Sequence, residues 1–158
     1  MSLRAVIPGP PQPQQRARIV RRGSHPAMID PPASKLWKAH AEGYMIEAMR
    51  ARAGSVGPRA CLQGPVAVEI LAVFPLPKSL HRKTAQRGRA WHTTNRGDLD
   101  NIVKAVLDAM TRVWILDDRQ VAQLFATKLV GAQEEAPRVE VVMRRLPPGR
   151  IVETPRGM

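Results

Sequence analysis

The spacing of apolar and polar positions along the chain predicts four β-strands. The segment from Val66 to Phe74 is apolar at nearly every position, which is typical of a strand that is buried on both faces. The segment from Arg138 to Arg145 alternates apolar with polar side chains, as a half-buried strand does. Two further patterns predict strands from Arg4 to Ile7 and from Val121 to Val130. Because a polar turn of residues 131–137 links the last two strands, we expect them to form a hairpin at the sheet edge.

Apolar residues that recur every three or four positions predict two helices. The stronger pattern starts at Asp98 and comprises Leu99, Ile102, Val103, Val106, Leu107 and Met110. The other helix is predicted from Ser34, an N-cap residue that follows two prolines, to about Arg52, and Gly54 would end it. Its apolar face would consist of Trp37, Ala41, Tyr44, Met45 and Ala48.

Proline and glycine mark the connections between these elements. Prolines at positions 8, 10, 11 and 13 predict a stiff extended segment, and a loop is predicted around Gly23, His25 and Pro26. Residues 78–97 show no regular period, and an irregular stretch of that length is usually functional or disordered. The order β-α-β-α-β-β predicts one α/β domain of the α+β type, residues 1–148, with two helices packed on a mixed β-sheet. Residues 149–158 are expected to form a flexible tail.

The distribution of charge points to a nucleic-acid partner. The chain has 25 Lys and Arg against 13 Asp and Glu, which gives a formal net charge of +12. Residues 1–29 and residues 70–97 contain basic side chains and no acidic ones. Basic segments attract a polyanion through phosphate neutralisation and counterion release. A solvated basic surface or a disordered basic arm is the alternative interpretation.

The composition disfavours several other classes of protein and site. No apolar run reaches the roughly 20 residues of a transmembrane helix, and no export signal is seen, so we expect a soluble cytoplasmic protein. Cys61 is the only cysteine, which excludes an intramolecular disulfide and a cysteine-based zinc site. The histidines lack metal-ligand spacing, and without a phosphate-cradling glycine motif no nucleotide cofactor is expected. Trp91 and Trp114 are expected to be buried rather than to stack on bases.

Five of the 13 acidic residues lie between positions 98 and 118, directly after the second basic segment. Asp98 and Asp100 are two residues apart at a helix start, so in an extended chain their side chains point to the same side. Either one of them is an N-cap that stabilises the helix by about 1 kcal/mol, or both converge on a cation. Two carboxylates that meet without a cation repel each other, and hard oxygen ligands select Mg²⁺ or Mn²⁺. The spacing alone leaves both interpretations open.

A second acidic pair and one lysine accompany these two aspartates. Asp117 and Asp118 are adjacent, so their side chains face opposite ways in an extended chain, and at most one is expected to join the same site. The other would cap a turn. Lys104 lies one helical turn after Asp100, where it forms either a surface salt bridge or a cation that neutralises a phosphate.

Two motifs in this region resemble the signature of the RusA family of Holliday junction resolvases. The first is Gly97-Asp-Leu-Asp-Asn-Ile-Val-Lys-Ala-Val-Leu-Asp-Ala-Met-Thr, and the second is Trp114-Ile-Leu-Asp-Asp-Arg-Gln-Val. The opening Ile7-Pro-Gly-Pro-Pro, the arginines after it and the helix near Trp37 are also similar to that family. The resemblance extends from residue 4 to residue 145. Family members often have Lys-Pro where this chain has Arg96-Gly97, and the link between the two motifs looks one residue short.

The resemblance implies a Mg²⁺-dependent, homodimeric crossover junction endodeoxyribonuclease that cuts four-way DNA junctions symmetrically in recombination and repair. Mn²⁺ is the second candidate metal. By motif position the resemblance implies that Asp98, Asp100 and Asp118 are the catalytic and metal-binding carboxylates. It implies that Lys104 is a catalytic cation and that Asp117 is a structural neighbour. Such a protein would act at the nucleoid, and we expect a bacterial or prophage origin.

The basic residues would grip phosphates in the arms of branched DNA rather than read bases. These residues are Arg16, Arg18, Arg21, Arg22, Lys78, Arg82, Lys83, Arg87, Arg89 and Arg96. A junction has two equivalent strands to cut, which is the reason to expect a dimer with two-fold symmetry. One alternative is a non-catalytic basic nucleic-acid-binding module in which the aspartates only cap and turn. The other is a branched-DNA nuclease of broader specificity.

Overall fold

Seven strands and two helices are present in the part of the chain that the computed structural model describes. The described residues are 2–16, 18–23, 25–29, 31–57, 59–78, 88–93, 97–147 and 149, with the backbone alone for residues 18, 20, 22, 27 and 28. In chain order the elements are β1 (Ser2–Pro8), β2 (Arg18–Arg22), β3 (His25–Ile29), α1 (Pro32–Ala53), β4 (Val66–Phe74), β5 (Ala90–Trp91), α2 (Leu99–Met110), β6 (Val121–Val130) and β7 (Arg138–Arg145). A short 3-10 turn, Asp118–Gln120, precedes β6.

A five-stranded mixed sheet has the order β1-β7-β4-β6-β5. Its central strand, β4, pairs in parallel with β6 and antiparallel with β7. The predicted hairpin of β6 and β7 is therefore wrong, because the two strands flank β4 on opposite sides. The physical reason is that β4 is apolar on both faces, so it takes the centre of the sheet and needs a partner at each edge.

Both helices pack on one face of this sheet, as the sequence predicts. The buried face of β4 carries Val66, Val68, Ile70, Ala72 and Phe74, and β7 adds Val139, Val141 and Met143. Side chains on the other face of the sheet are much more exposed, for example Val6 at 41% and Phe125 at 69%. The alternation that predicts β7 is thus confirmed by its burial pattern.

The two helices match their predicted spans closely. α2 is confirmed, and Gly54 ends α1 in a left-handed conformation with φ 69°. α1 begins earlier than predicted, because Pro31 rather than Ser34 is its N-cap residue. Ser34 lies buried in the first turn, where its hydroxyl oxygen accepts a 3.0 Å hydrogen bond from the Gln15 backbone N–H. The serine therefore fastens the proline-rich segment to the helix.

Two strand pairs were not predicted. Where the sequence indicates a loop, β2 and β3 form an antiparallel hairpin that is a separate two-stranded sheet. Pro26 conceals this strand in the sequence, yet a two-stranded ribbon tolerates a proline because each strand has a free edge. Gly23, at φ 64°, lies between the two strands. The second unexpected pair is β5 with the end of β6, inside the stretch predicted to be irregular.

The two tryptophans singled out in the sequence differ in burial. Trp114 is fully buried, and its indole Nε1–H donates a 2.7 Å hydrogen bond to the Met45 carbonyl oxygen of α1. Trp91 is 76% exposed, so the expectation that it is buried is wrong. It lies on the two-residue strand β5 at the edge of the sheet. Trp114 thus joins α1 to the segment after α2, whereas Trp91 remains at the surface.

An ionic network ties β5 to the start of β7. The Arg89 guanidinium lies 2.6 Å from a Glu135 carboxylate oxygen, and Arg138 lies 2.9 Å from the same oxygen. These two arginines, Arg89 foremost, hold the pKa of Glu135 at about 2, below its ordinary value near 4.5. A carboxyl whose pKa is depressed by folding stabilises the fold above its unfolded pKa, and this contribution disappears as the pH falls through the folded pKa.

Replacing Glu135 by Gln is therefore expected to destabilise the protein in a pH-dependent way. At pH 7 we expect a loss of about 1 kcal/mol of unfolding free energy, because the network is partly exposed. The difference in unfolding free energy between wild type and Glu135→Gln should disappear as the pH falls from 4.5 to 2. Urea unfolding at several pH values measures it. A gap that stays constant down to pH 2 would contradict the assigned ion pairs.

Candidate active site

The turn that precedes α2 is fixed by packing and by one lysine. Gly97 adopts φ 94°, and a Cβ built on it would lie 3.0 Å from Cζ of Phe74, the last residue of β4. The Lys128 ammonium, from the second half of β6, donates a 2.9 Å hydrogen bond to the Gly97 carbonyl oxygen. Sequence reasoning missed Lys128. Its signal is a lone lysine within the otherwise uncharged strand β6.

Replacing Gly97 by Ala tests this turn. We expect a loss of about 2 kcal/mol or more of unfolding free energy, because a left-handed φ and a contact with Phe74 both oppose a methyl group. Gly64→Ala is the matched control, since Gly64 has φ 84° but open space around its Cα. Thermal or urea unfolding should show a clearly smaller loss for Gly64→Ala. Equal losses would mean that the Phe74 contact contributes nothing.

Asp98 and Asp100 begin α2 with exposed carboxylates. Asp98 is the N-cap residue, in an extended conformation with φ −60° and ψ 138°, but its side chain accepts no capping hydrogen bond from the described helix. Asp100 lies in the first turn. The interpretation of Asp98 as a hydrogen-bonding N-cap is therefore wrong. Its carboxylate is left available for another partner.

In the second acidic pair, Asp117 has the turn-capping role that the sequence predicts for one of the two residues. The Asp117 carboxylate accepts a 2.9 Å hydrogen bond from the Arg119 backbone N–H, caps the 3-10 turn together with Gln120, and pairs with the Arg119 guanidinium at 2.8 Å. The Arg119 guanidinium holds the pKa of Asp117 well below its ordinary range. Asp117 thus does the structural work, and Asp118 is exposed at the first position of the turn.

Cation pairing separates the five aspartates of this region into two groups. Asp108 pairs with Lys38 at 3.4 Å and with Lys104 at 3.8 Å, and Asp117 pairs with Arg119. Lys104 therefore pairs with Asp108 rather than with Asp100. The other three carboxylates form no salt bridge with any residue that the structure describes, and they are Asp98, Asp100 and Asp118.

A groove between α2 and β6 collects several of these residues. It has a volume of about 490 Å³, and Asp100, Lys104, Asp108 and Asp118 line it beside an apolar wall. The apolar wall consists of Leu99, Val103, Leu107, Leu124 and Ala126. A wider hollow of about 970 Å³ shares Asp108 and Asp118 and is also lined by Lys35 and Lys38 of α1. Asp118 lies where the two hollows meet.

Asp100 and Asp118 line the same groove at different positions along it. Asp100 and Asp108 are eight residues apart on one helix, so their Cα atoms are about 12 Å apart. Asp118 lies at the Asp108 end of the groove, because both residues line both hollows. Among the described residues, no group of three or more acidic, histidine or cysteine side chains is placed to hold one metal ion. The structure thus brings Asp100, Lys104 and Asp118 to one groove without joining all the predicted ligands.

The donor chemistry of this groove nevertheless suits a hard divalent cation. Carboxylate oxygens are the ligands that Mg²⁺ and Mn²⁺ prefer, and Mg²⁺ needs only one or two of them from a protein. Asp98 and Asp100 offer two such groups, two residues apart in sequence, and neither forms a salt bridge with a described residue. Asp100 lines the groove and Asp98 is the residue just before its helix, so these two carboxylates are candidates to hold such an ion.

The predicted DNA-binding residues differ in their exposure and in their ion pairs. Arg16, Arg21 and Lys78 are exposed. Arg89 is held against Glu135, which neutralises much of its charge. Side chains of Arg18 and Arg22, and the whole of Arg82, Lys83, Arg87 and Arg96, lie outside what the structure describes.

Comparison with known proteins identifies the class. Residues 8–144 match the model of the family described as endodeoxyribonuclease RusA. This match covers most of the chain and both acidic motifs, so the protein belongs to the RusA endodeoxyribonuclease family, whose activity is the hydrolysis of DNA phosphodiester bonds. The family resemblance seen in the sequence is confirmed.

One relative covers nearly the whole chain. The uncharacterized protein YqaN of Bacillus subtilis (strain 168) is 30% identical over 148 residues, which are 91% of this chain and 96% of that protein. Within the described ranges, neither helix is long and apolar enough to cross a membrane.

Proposed function

We propose that this protein is a Mg²⁺-dependent, structure-selective endonuclease that resolves four-way DNA junctions by symmetric cleavage during recombination and repair. The observation that carries the proposal is the set of unpaired carboxylates at positions 98, 100 and 118. Asp108 has a cation partner here, and Asp117 has both a cation and a backbone N–H partner. The other three form no salt bridge with any residue that the structure describes, so in a chain of net charge +12 their oxygens favour a role as ligands of a hard divalent cation.

In this proposal each residue of the groove has a defined role. Asp98 and Asp100 would hold Mg²⁺ or Mn²⁺ through oxygens, with Asp118 as the third carboxylate. A bound divalent ion supplies a water of lowered pKa and offsets charge on the leaving oxygen. The Lys104 side chain is 63% exposed, and its ion pair with Asp108 is long, at 3.8 Å. Its ammonium can therefore move to neutralise a phosphate bound in the groove.

The rest of the molecule would bind and orient the DNA. Exposed arginines and lysines such as Arg16, Arg21 and Lys78 would contact phosphates of the junction arms, which positions the DNA without reading its sequence. A homodimer with two-fold symmetry would present two equivalent sites to two equivalent strands. Because the substrate would be chromosomal or phage DNA, we expect the protein at the nucleoid.

A non-catalytic DNA-binding module is the alternative from another class. In that case the aspartates would serve as caps, yet among the described residues only Asp117 caps a turn, and the Asp98 side chain makes no capping bond. Carboxylates without a cation would also repel the phosphates that such a module must bind. A branched-DNA nuclease of broader specificity uses the same site and differs only in substrate range.

Incubation with labelled DNA tests the proposal. A four-way junction and a linear duplex of matched sequence are mixed with the protein in Mg²⁺, in Mn²⁺ and in chelator. We expect cleavage of the junction in the presence of metal, and binding without cleavage in chelator. Equal binding of the junction and the duplex with no cleavage in any divalent metal would favour the binding module. Cleavage of a flap substrate, added in parallel, at the same rate as the junction would favour the broader nuclease.

A further inference from the structure

The hairpin of β2 and β3 stands apart from the rest of the fold. It forms a two-stranded sheet of its own, and neither of its strands pairs with the five-stranded sheet. Each residue between positions 15 and 29 whose burial the structure describes is exposed, including Ile19 at 72%. A two-stranded hairpin that stands alone is marginally stable in water at best. A partner that contacts both of its faces would therefore stabilise it.

The root of this hairpin lies beside the candidate active site. Shortly before β2, the Gln14 backbone N–H donates a 2.9 Å hydrogen bond to the Asn101 carbonyl oxygen, in the first turn of α2 next to Asp100. At the other end, Ile29 is the last residue of β3 and lines the wide hollow that Asp118 also lines. Both strands of the hairpin therefore leave the body of the protein next to the acidic groove.

The dimensions of the hairpin match a groove of duplex DNA. From Arg18 to Arg22 the strand spans about 14 Å, and Gly23, at φ 64°, lies at the tip beside the pair of Arg22 and His25. The major groove of B-DNA is about 12 Å wide and about 8.5 Å deep, and it admits a two-stranded β-ribbon. The hairpin is thus long enough for its tip to reach the floor of that groove while its root stays outside.

The charge of this region indicates which partner the hairpin binds. Residues 1–29 contain five arginines and no acidic side chain. Arg16 and Arg21 are exposed, and neither forms a salt bridge with a described residue. A second copy of a chain with net charge +12 would repel these arginines, whereas the phosphates of DNA attract them. Charge complementarity therefore favours DNA as the partner.

An apolar side chain accompanies the arginines on the hairpin. Ile19 and Arg21 are two residues apart in one strand, so they share a face. Phosphates attract Arg21, but an exposed isoleucine gains nothing from a charged backbone. The floor of the major groove carries thymine methyl groups, which an apolar side chain can contact. The combination of Ile19 and Arg21 therefore favours insertion into the groove over contact with the phosphate backbone alone.

We propose that the hairpin of β2 and β3 enters the major groove of the duplex next to the cleavage site, with Ile19 against base edges and with Arg16 and Arg21 on the phosphates that border the groove. This inference rests on the proposed nuclease function, which makes branched DNA the substrate. Because the root of the hairpin is fixed beside the groove of Asp100 and Asp118, the inserted hairpin sets the direction in which that duplex leaves the active site.

Binding of a four-way junction in chelator tests the hairpin without cleavage. Arg21→Ala should weaken binding about ten-fold, and it should reduce the slope of log K against log salt concentration by about 1. Arg52→Ala is the matched control, because Arg52 is also exposed but lies in the last turn of α1, about 30 Å along the helix from Pro32. The Arg52 variant should bind the junction with the wild-type affinity and salt slope.

A second substitution separates the contact with base edges from the contact with phosphates. Ile19→Ser should weaken junction binding about five-fold, because an apolar contact is lost. The salt slope should stay at its wild-type value, because no charge is removed. Leu36→Ser is the control, since Leu36 is 71% exposed on α1, and it should bind the junction as wild type does.

Chemical footprinting identifies the groove. Dimethyl sulfate methylates guanine N7 in the major groove and adenine N3 in the minor groove. Wild-type protein in chelator should protect guanine N7 within one helical turn of a junction arm, and Ile19→Ser and Arg21→Ala should each reduce that protection. Protection of adenine N3 alone would overturn insertion into the major groove.

The outcomes separate this inference from the function on which it rests. An intact junction in both Mg²⁺ and Mn²⁺ would contradict the proposed nuclease, whereas binding and footprinting in chelator still decide the role of the hairpin. Equal affinities and salt slopes for Arg21→Ala and Arg52→Ala would overturn the hairpin inference even if wild type cleaves. A changed sedimentation rate of Arg21→Ala with unchanged DNA binding would also overturn it, because the hairpin would then contact another copy of the chain.

Discussion

Asp100→Asn should reduce junction cleavage by about 10³-fold while junction binding changes by less than about two-fold. The substitution keeps the shape of the side chain but removes the negative charge that would hold the divalent ion. Asp100 is exposed in the first turn of α2 and has no described ion-pair partner, so the fold should not change. The test compares single-turnover cleavage in Mg²⁺ with binding measured in chelator.

A matched control separates loss of charge from loss of a ligand. Glu69→Gln removes the same charge on the opposite face of the sheet, where Glu69 pairs with Arg144 at 3.2 Å. It should cleave at the wild-type rate. If Asp100→Asn retains more than a tenth of wild-type activity, or if both variants lose activity equally, Asp100 does not hold the metal.

Trp114→Ala should lower the free energy of unfolding by about 3–5 kcal/mol, the largest stability effect expected for one residue of this chain. The indole is completely buried in the core, and its N–H donates to the Met45 carbonyl oxygen across the boundary between α1 and the segment after α2. Truncation leaves a cavity of nearly a full side chain and removes that bond. Urea denaturation followed by circular dichroism measures the loss.

The second tryptophan supplies the comparison. Trp91→Ala removes an indole that is 76% exposed, so the unfolding free energy should change by no more than about 0.5 kcal/mol. Trp114→Phe should fall between the two, because it keeps much of the volume but not the hydrogen bond. Similar losses for both alanine variants would show that Trp114 does not anchor the core.

Local periodicity predicts the individual elements well. The limits of β4, β6 and β7 agree with the sequence pattern because each strand is bounded by a proline, a glycine or a charged turn. The hairpin of β2 and β3 was missed because Pro26 interrupts its pattern. The order of the strands could not be predicted from adjacency along the chain, since β4 separates β6 from β7.

For the candidate site, the sequence likewise predicts which residues are involved but not where distant parts of the chain place them. The sequence predicts the carboxylates at positions 98, 100 and 118, and it predicts that one member of the second acidic pair would cap a turn, as Asp117 does. It does not predict that Asp118 lies toward the Asp108 end of α2, because that position depends on α2 and β6 running in opposite directions. Lys128 was missed for the same reason, since its partner Gly97 is far away in sequence.

Mapping the cuts on a four-way junction tests the central claim most directly. Each of the four strands is labelled in turn on a junction that cannot migrate, and the wild-type protein is added with Mg²⁺. The account predicts paired cuts in two opposite strands, at the same distance from the crossover, and no cuts when chelator replaces the metal. Cuts that ignore the crossover, or an intact junction in both Mg²⁺ and Mn²⁺, would contradict it.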